Sequence, residues 1–148
     1  MTMIHNIPLA EIEVGMQRQY SKTLTERDLQ LFAETSGDYN PVHLDAQYAA
    51  TTAFGERIAH GMWSGALISA AIATTLPGPG SVYRSQTLKF SKPVTLGDTI
   101  TITLTVLEKK ERVKLVTIEC EGRNQSDELV VKGTAEVIAS AEKLSFTI

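Results

Sequence analysis

Alternating polar and apolar residues mark the second half of the chain. Over residues 99–106, threonines alternate with isoleucine, leucine and valine, so the aliphatic side chains all fall on one face. A period of two is typical of a half-buried antiparallel strand. Charged or polar turns at residues 108–111 and 124–128 separate this strand from two others, the last of which covers residues 129–138. With one more strand over residues 81–90, the pattern predicts a four-stranded antiparallel meander.

The first half of the chain predicts helices and, at residues 17–22, one strand. Thr25 is a good N-cap for a helix that ends at Gly37, and residues 45–53 predict a short helix. The longer segment at residues 61–76 carries no charge and is apolar or small on every side. This composition is typical of a buried helix.

The order of these elements indicates an α+β domain. Helices come before the antiparallel strands instead of alternating with strands, which argues against a parallel, doubly wound sheet. The simplest arrangement is a curved antiparallel β-sheet wrapped around the long buried helix. The length of 148 residues predicts a single domain over residues 1–148, with its core at about 14–139 and a tail at 140–148.

Composition and charge narrow the possible classes of function. The net charge of −3, without a basic cluster, argues against a nucleic-acid partner. Cys120 is the single cysteine, so no intrachain disulfide is possible and a reducing compartment is favoured. Residues 1–10 lack the pattern of a secretory signal, and the uncharged segment at 61–76 is shorter than the roughly 20 residues that cross a bilayer. We therefore expect a cytoplasmic protein without a membrane partner.

Candidate chemistry concentrates in residues 36–45. Gly37 and Pro41 favour a bend of the backbone, and the bend brings together a carboxylate, Asp38, and an imidazole, His43. Both side chains could reach one small target such as a water molecule, and a proton shuttle needs such a pair. On its own, the Gly-Asp-x-Asn-Pro segment is an ordinary turn, and a single histidine nearby is more often structural than catalytic.

Three separated motifs together give a family resemblance. They are Ser-Gly-Asp-x-Asn-Pro-x-His-x-Asp at residues 36–45, His60-Gly61 at the head of the uncharged helix, and Leu-x-Phe-x-x-Pro-Val-x-x-Gly-Asp at residues 88–98. In this combination and order, the chain resembles the MaoC-like (R)-specific enoyl-CoA hydratases of the hot-dog fold. Residues 58–63 and 76–80 further resemble the hydratase-like module that precedes the phosphate acyltransferase domain in some bacterial fusion proteins.

The resemblance implies an enzyme. It implies reversible (R)-specific hydration of short to medium trans-2-enoyl-CoA thioesters to 3-hydroxyacyl-CoA, a step of fatty acid metabolism that also supplies polyhydroxyalkanoate precursors. Asp38 and His43 would share the catalytic water, and Asn40 would fix their geometry. No metal and no further cofactor are implied, because coenzyme A is part of the substrate. Arg57 stands where many of these hydratases have a proline, which changes the expected shape of that loop.

The remaining candidate site residues lie at or on the uncharged helix. Gly61 begins it, and because the first N–H groups of a helix have no intrahelical partner, the Gly61 N–H is the candidate donor to the thioester oxygen. Ser69 is expected to support Asp38 by a hydrogen bond. His60 is expected to take one of two structural roles, orienting the loop or capping the helix, ahead of a direct part in catalysis. Met62 and Trp63 are expected in the core or in the lining of an acyl tunnel.

The sequence also predicts an assembly and leaves two other functions open. An exposed sheet edge predicts a homodimer with a continuous sheet, or a higher homo-oligomer. Arg84, Lys89 and Lys92 are cations available for the phosphates of coenzyme A. Two other functions fit the same sequence. One is an acyl-CoA thioesterase, and the other is a non-catalytic acyl-CoA-binding module associated with a phosphate acyltransferase.

Overall fold

The structure is a computed structural model that describes residues 1–148. Its helices are α1 (Glu26–Ser36), α2 (Pro41–Leu44), α3 (Ala46–Thr51) and α4 (Gly61–Thr74). Its strands are β1 (Met3–His5), β2 (Gln17–Thr23), β3 (Val82–Gln86), β4 (Lys89–Phe90), β5 (Thr99–Lys110), β6 (Leu115–Arg123), β7 (Leu129–Ile138) and β8 (Ser145–Thr147). Two short 3₁₀ helices lie at Leu9–Glu11 and Glu111–Val113.

The main sheet is antiparallel, with the strand order β2-β5-β6-β7-β3, and β4 also pairs with β7. In β5, Ile100, Ile102 and Leu104 are fully buried, while the threonines between them are partly exposed. α4 packs against β2, β5 and β6, and its Ile68 and Ala71 join the core. None of the four helices has the length and apolar character needed to cross a bilayer. The predicted α+β arrangement, a sheet packed on a buried helix, is confirmed.

Local signals in the sequence fix where α1 begins and ends. The Thr25 hydroxyl oxygen accepts a hydrogen bond from the N–H of Asp28 at 3.2 Å, and the Asp28 carboxylate accepts one from the N–H of Thr25 at 2.9 Å. This reciprocal pair is a capping box. At the other end, Gly37 has a φ of 80°, a left-handed conformation that glycine adopts without a side-chain clash. α1 therefore delivers the chain to Asp38 in a defined direction.

Two predicted elements differ from the observed ones. The strand predicted over residues 81–90 is split into β3 and β4, because between them the carbonyl oxygen of Thr87 occupies the space that a Cβ on Gly133 would need. The turn predicted at residues 108–111 is largely the end of β5. A bulge after Val106 lets that strand continue its pairing with β6.

The two ends of the chain pair with each other. β1 and β8 form a separate two-stranded antiparallel sheet, so the segment expected as a tail contains a strand. Asn6, at the end of β1, is 4% exposed; its side chain accepts a hydrogen bond from Leu144 N and donates one to Glu142 O, both at 2.7 Å. Both strands are three residues long and mostly exposed, so they leave no periodic signal in the sequence.

Replacement of Asn6 with alanine tests this connection. The change leaves the Leu144 N–H and the Glu142 carbonyl without their partner, so we expect the free energy of unfolding to fall by about 1–3 kcal/mol in urea denaturation. Gln19→Ala, which removes an exposed side chain bonded to Thr103, is the control and should change it by less than about 0.5 kcal/mol. Equal effects of the two changes would contradict a structural role for Asn6.

Candidate active site

The loop between α1 and α2 is built by its own polar side chains. The Ser36 hydroxyl accepts a hydrogen bond from Asp38 N at 3.1 Å, Asp38 Oδ1 accepts one from Asn40 N at 3.1 Å, and Asn40 Oδ1 accepts one from Val42 N at 3.2 Å. The last of these caps α2, in which Pro41 is the first residue. Because Oδ1 of Asp38 is used by the loop, its other oxygen, Oδ2, is the one available to a ligand.

His43 lies beside that free oxygen. The ring is 7% exposed, and its Nδ1 donates a hydrogen bond to the carbonyl oxygen of Ile58 at 2.8 Å. Since a carbonyl only accepts, the proton of the neutral ring is on Nδ1, and Nε2 carries a lone pair. Nε2 lies 4.0 Å from Asp38 Oδ2, too far for a direct hydrogen bond. Two acceptors at this separation can each accept one hydrogen from a single water molecule.

The surroundings of His43 favour its neutral form. Burial lowers the pKa of His43 below the ordinary 6.5, and the neighbouring ring of His60 lowers it further. The hydrogen bond to Ile58 O and the charge of Asp38 act in the opposite direction, without cancelling the effect of burial. His43 is therefore suited to accept a proton near neutral pH.

His60 contacts both members of the pair. Its Nε2 donates a hydrogen bond to the backbone carbonyl of Asp38 at 2.9 Å, and its ring stacks on His43 with a centroid distance of 3.8 Å and an interplanar angle of 26°. The residue is 2% exposed, and its Nδ1 is buried without a hydrogen-bond partner. Of the two roles expected for His60, the structure shows the contact with the loop. Its side chain makes no cap hydrogen bond to α4.

Gly61 lies at the wall of a cavity of about 380 Å³ that also contains His43. The first backbone hydrogen bond at this end of α4 runs from Trp63 N to His60 O, so the amides of Gly61 and Met62 have no backbone acceptor. The cavity is lined by His43, Phe54, Ile58, Ala59, His60, Gly61, Ser64, Phe90, Ser91, Lys92, Pro93, Val94 and Val130. The cavity thus combines a proton acceptor and an unpaired helix amide within a largely apolar wall.

The other residues predicted on α4 lie elsewhere. Ser69 makes no hydrogen bond to Asp38, so that prediction is wrong. The reason is helix geometry: eight residues at 1.5 Å each put Ser69 about 12 Å along α4 from Gly61, whereas Asp38 is held at the N-terminal end. Ser69 and Met62 instead line a second cavity of about 430 Å³, together with Tyr83 of β3 and Leu88, which lies between β3 and β4. Trp63 is 5% exposed and belongs to the core.

Sequence reasoning missed three features of the site. The Ile58 carbonyl that fixes the tautomer of His43 is a backbone group, so no residue type in the sequence indicates it. Phe90 lies 3.6 Å from the position of a Cβ on Gly61, a contact between β4 and α4 that no local pattern reveals. Arg57 forms a bidentate ion pair with Glu26, at 2.6 and 2.8 Å, which links the loop before α4 to the start of α1.

The cluster of Asp38, His43 and His60 is also compact enough to be considered for a metal, since one ligand atom from each lies within 4.8 Å of the others. The lone pairs of imidazoles lie in the ring planes. Because the two rings are stacked, these lone pairs run side by side and do not converge on an ion about 2.1 Å from both. Proton transfer fits this geometry better than metal binding.

NMR titration of the His43 ring should give a pKa below 6.5, because burial disfavours its charged form. Asp38→Asn should lower that pKa further, since it removes a negative charge 4.0 Å from Nε2. Asp127→Asn, which neutralises an exposed carboxylate in the β6–β7 turn, is the matched control and should leave the pKa unchanged. A His43 pKa at or above 6.5, or one that is unchanged in Asp38→Asn, would contradict this account.

Known proteins of similar sequence and fold show the family to which this chain belongs. A family model described as "MaoC like domain" matches residues 9–136. The chain is 44% identical to the (R)-specific enoyl-CoA hydratase of Rhodospirillum rubrum over 88% of this chain and 90% of that protein. It is 42% identical to the 3-hydroxybutyryl-CoA dehydratase of Methylorubrum extorquens over 86% of this chain and 80% of that one. The solved structure of the unliganded R-hydratase PhaJ1 from Pseudomonas aeruginosa is 57% identical, with a TM-score of 0.96 over 99% of this chain and 94% of that chain. The hot-dog fold and the resemblance found in the sequence are confirmed, and this chain belongs to the MaoC-like domain family.

Proposed function

We propose that this chain catalyses the (R)-specific hydration of trans-2-enoyl-CoA thioesters to 3-hydroxyacyl-CoA, and the reverse dehydration. The observation that carries the proposal is the 4.0 Å gap between Asp38 Oδ2 and His43 Nε2, next to a cavity that contains the free amide of Gly61. Relatives named (R)-specific enoyl-CoA hydratase and 3-hydroxybutyryl-CoA dehydratase support both directions of the same reaction.

Water activation follows from the acceptors on the two side chains. With ionised Asp38 and neutral His43, one water molecule between them donates a hydrogen to each, and its oxygen lone pairs are left free for the β-carbon. As the carbon–oxygen bond forms, His43 Nε2 accepts a proton from the water. The pair then returns a proton to the α-carbon, so the elements of water add across the double bond with no change in oxidation state. Such chemistry requires no redox cofactor, and coenzyme A enters as part of the substrate.

Charge that develops on the thioester oxygen needs a donor. The N–H of Gly61 is the first amide of α4, has no backbone acceptor and lies at the positive end of the helix dipole. A single donor of this kind contributes on the order of 2.7–4 kcal/mol to transition-state stabilisation.

The physiological role and the assembly belong to the same proposal. A structural neighbour at 38% identity is titled an (R)-hydratase from A. caviae involved in PHA biosynthesis, which supports a supply of polyhydroxyalkanoate precursors here.

The outer edge of β3 is unpaired, and Val82 and Tyr83 on it are 55% and 40% exposed. An open edge with apolar side chains supports a homodimer with a continuous sheet. Association with a phosphate acyltransferase has only the sequence resemblance behind it.

Asp38→Asn and His43→Gln should each lower kcat for crotonyl-CoA hydration by roughly 10²–10⁴-fold, because each removes one partner of the water molecule. Loss of the enoyl absorbance measures the reaction. Asp127→Asn and His5→Gln are matched controls on exposed residues and should keep the wild-type rate. Full activity of both site variants would contradict the assignment. Release of free thiol by the wild type in step with the loss of absorbance would favour a thioesterase, because hydrolysis also breaks the conjugated enoyl thioester.

Gly61→Pro removes the amide hydrogen and adds a ring, whose Cβ lies where that of alanine would. Proline is well tolerated at the first position of a helix, and His60, with φ −55° and ψ 136°, has the extended conformation that proline requires before it. We expect kcat to fall by roughly 10²–10³-fold with the fold retained. Gly61→Ala keeps the N–H and places its Cβ in ordinary contact with Phe90, so its loss should be much smaller. Equal kcat values for the two variants would exclude the amide as the donor.

A further inference from the structure

His60 touches both members of the proton-transfer pair and adjoins the amide donor. We propose that His60 is a positioning residue that ties the backbone of Asp38 to the start of α4 and supports the His43 ring with the face of its own imidazole. The inference rests on the proposed function and extends it, because it gives a task to a histidine that itself takes no part in the proton transfer.

The first contact fixes the loop. The side-chain hydrogen bonds of Asp38 and Asn40 are local, each to a backbone N–H two residues further along the chain. Local bonds shape a bend but do not hold it in place against the rest of the molecule. The bond from His60 Nε2 to Asp38 O spans 22 residues and connects the bend to the residue before Gly61. Without it, the half-exposed Asp38 can move relative to His43 and Gly61.

The second contact concerns the His43 ring. His60 covers one face of that ring at 3.8 Å, and Phe32 packs on His60 with a centroid distance of 4.9 Å. This stack is part of the burial that lowers the pKa of His43. The charged or titratable groups around the stack are Asp38, 4.0 Å from His43, and Lys92, which lines the same cavity and is paired with Glu128. α1 contributes only the hydrocarbon ring of Phe32 to the stack.

The tautomer of His60 agrees with this role. Its Nε2 carries a hydrogen, since the Asp38 carbonyl can only accept, and its Nδ1 is therefore bare. Nδ1 is buried without a partner, so the bond from Nε2 to Asp38 O is the hydrogen bond that holds the ring. A helix-capping role does not explain the residue, because its side chain makes no hydrogen bond to α4.

Two variants separate the two contacts. His60→Phe keeps a ring against His43 and removes the donor to Asp38 O, whereas His60→Gln keeps an N–H donor of similar reach and removes the ring. For His60→Phe we expect kcat for crotonyl-CoA to fall by about 10- to 100-fold with KM within about twofold, because the reacting groups lose their alignment. The His43 pKa should rise less than in His60→Gln, because the ring that buries His43 is kept and only the electrostatic effect of His60 is lost. For His60→Gln we expect a smaller loss of kcat and a rise of the His43 pKa, visible as an upward shift of the acid limb of the pH–rate profile.

Asn6→Ala is the control for lost stability alone, since Asn6 lies among the chain termini and away from the site. It should lower the free energy of unfolding without changing kcat or the His43 pKa. The proposal is overturned if His60→Phe and His60→Gln behave like Asn6→Ala, with reduced stability, wild-type kcat and an unchanged acid limb. Turnover by the wild-type protein is measured first, so a failure of the proposed function is recognised separately.

If the variants do not fold, a measurement on the wild-type protein tests the proposal. Nitrogen-15 NMR of the imidazoles reports which ring nitrogen carries the proton. We expect the ring hydrogen of His60 on Nε2, where it bonds to the Asp38 carbonyl, and that of His43 on Nδ1, where it bonds to the Ile58 carbonyl. A hydrogen on Nδ1 of His60 together with a bare Nε2 would overturn the proposal whether or not the protein turns over substrate.

Discussion

Burial of the uncharged helix α4 is the constraint on which the rest of the structure depends. A helix that is apolar or small on every side gains stability only by being enclosed, and β2, β5 and β6 enclose it. Enclosure fixes where the helix starts. The first amides of α4 are consequently held at the wall of a cavity, beside His43, and no backbone group competes for them.

The loop that carries Asp38 is organised around this fixed helix end. Asp38 Oδ1 and His43 Nδ1 already have hydrogen-bond partners, so one oxygen of Asp38 and one nitrogen of His43 are left available to a ligand. Both atoms accept hydrogen bonds, so a small molecule that donates two hydrogen bonds fits between them. Water is the smallest such ligand, and the 4.0 Å spacing agrees with its size.

Elements with a local cause could be predicted from the sequence. The cap at Thr25, the left-handed turn at Gly37, the alternation in β5 and the buried helix each depend on a few consecutive residues. Asp38 and His43 could be proposed as a pair for the same reason, because only four residues lie between them. The three motifs added the family, which the comparisons confirm.

What escaped prediction depends on contacts between distant segments. The Ile58 carbonyl that sets the tautomer of His43 is a backbone atom, and every residue has one. The stack of His43 on His60 brings together rings that are 17 positions apart, with no shared pattern. Ser69 was misplaced because a side chain of suitable chemistry on the correct helix was assumed to lie near its end, although helical rise carries it away.

Gly133, in the middle of β7, shows how far the constraints on such a site extend. The carbonyl oxygen of Thr87 fills the space of its missing side chain, so β7 and the chain between β3 and β4 touch backbone to backbone there. That closeness holds β4 against β7 and so sets the place of Phe90, whose ring faces Gly61. A larger residue at position 133 would therefore push β4 away from β7 and displace Phe90 from the wall opposite the Gly61 amide, without contacting Asp38 or His43.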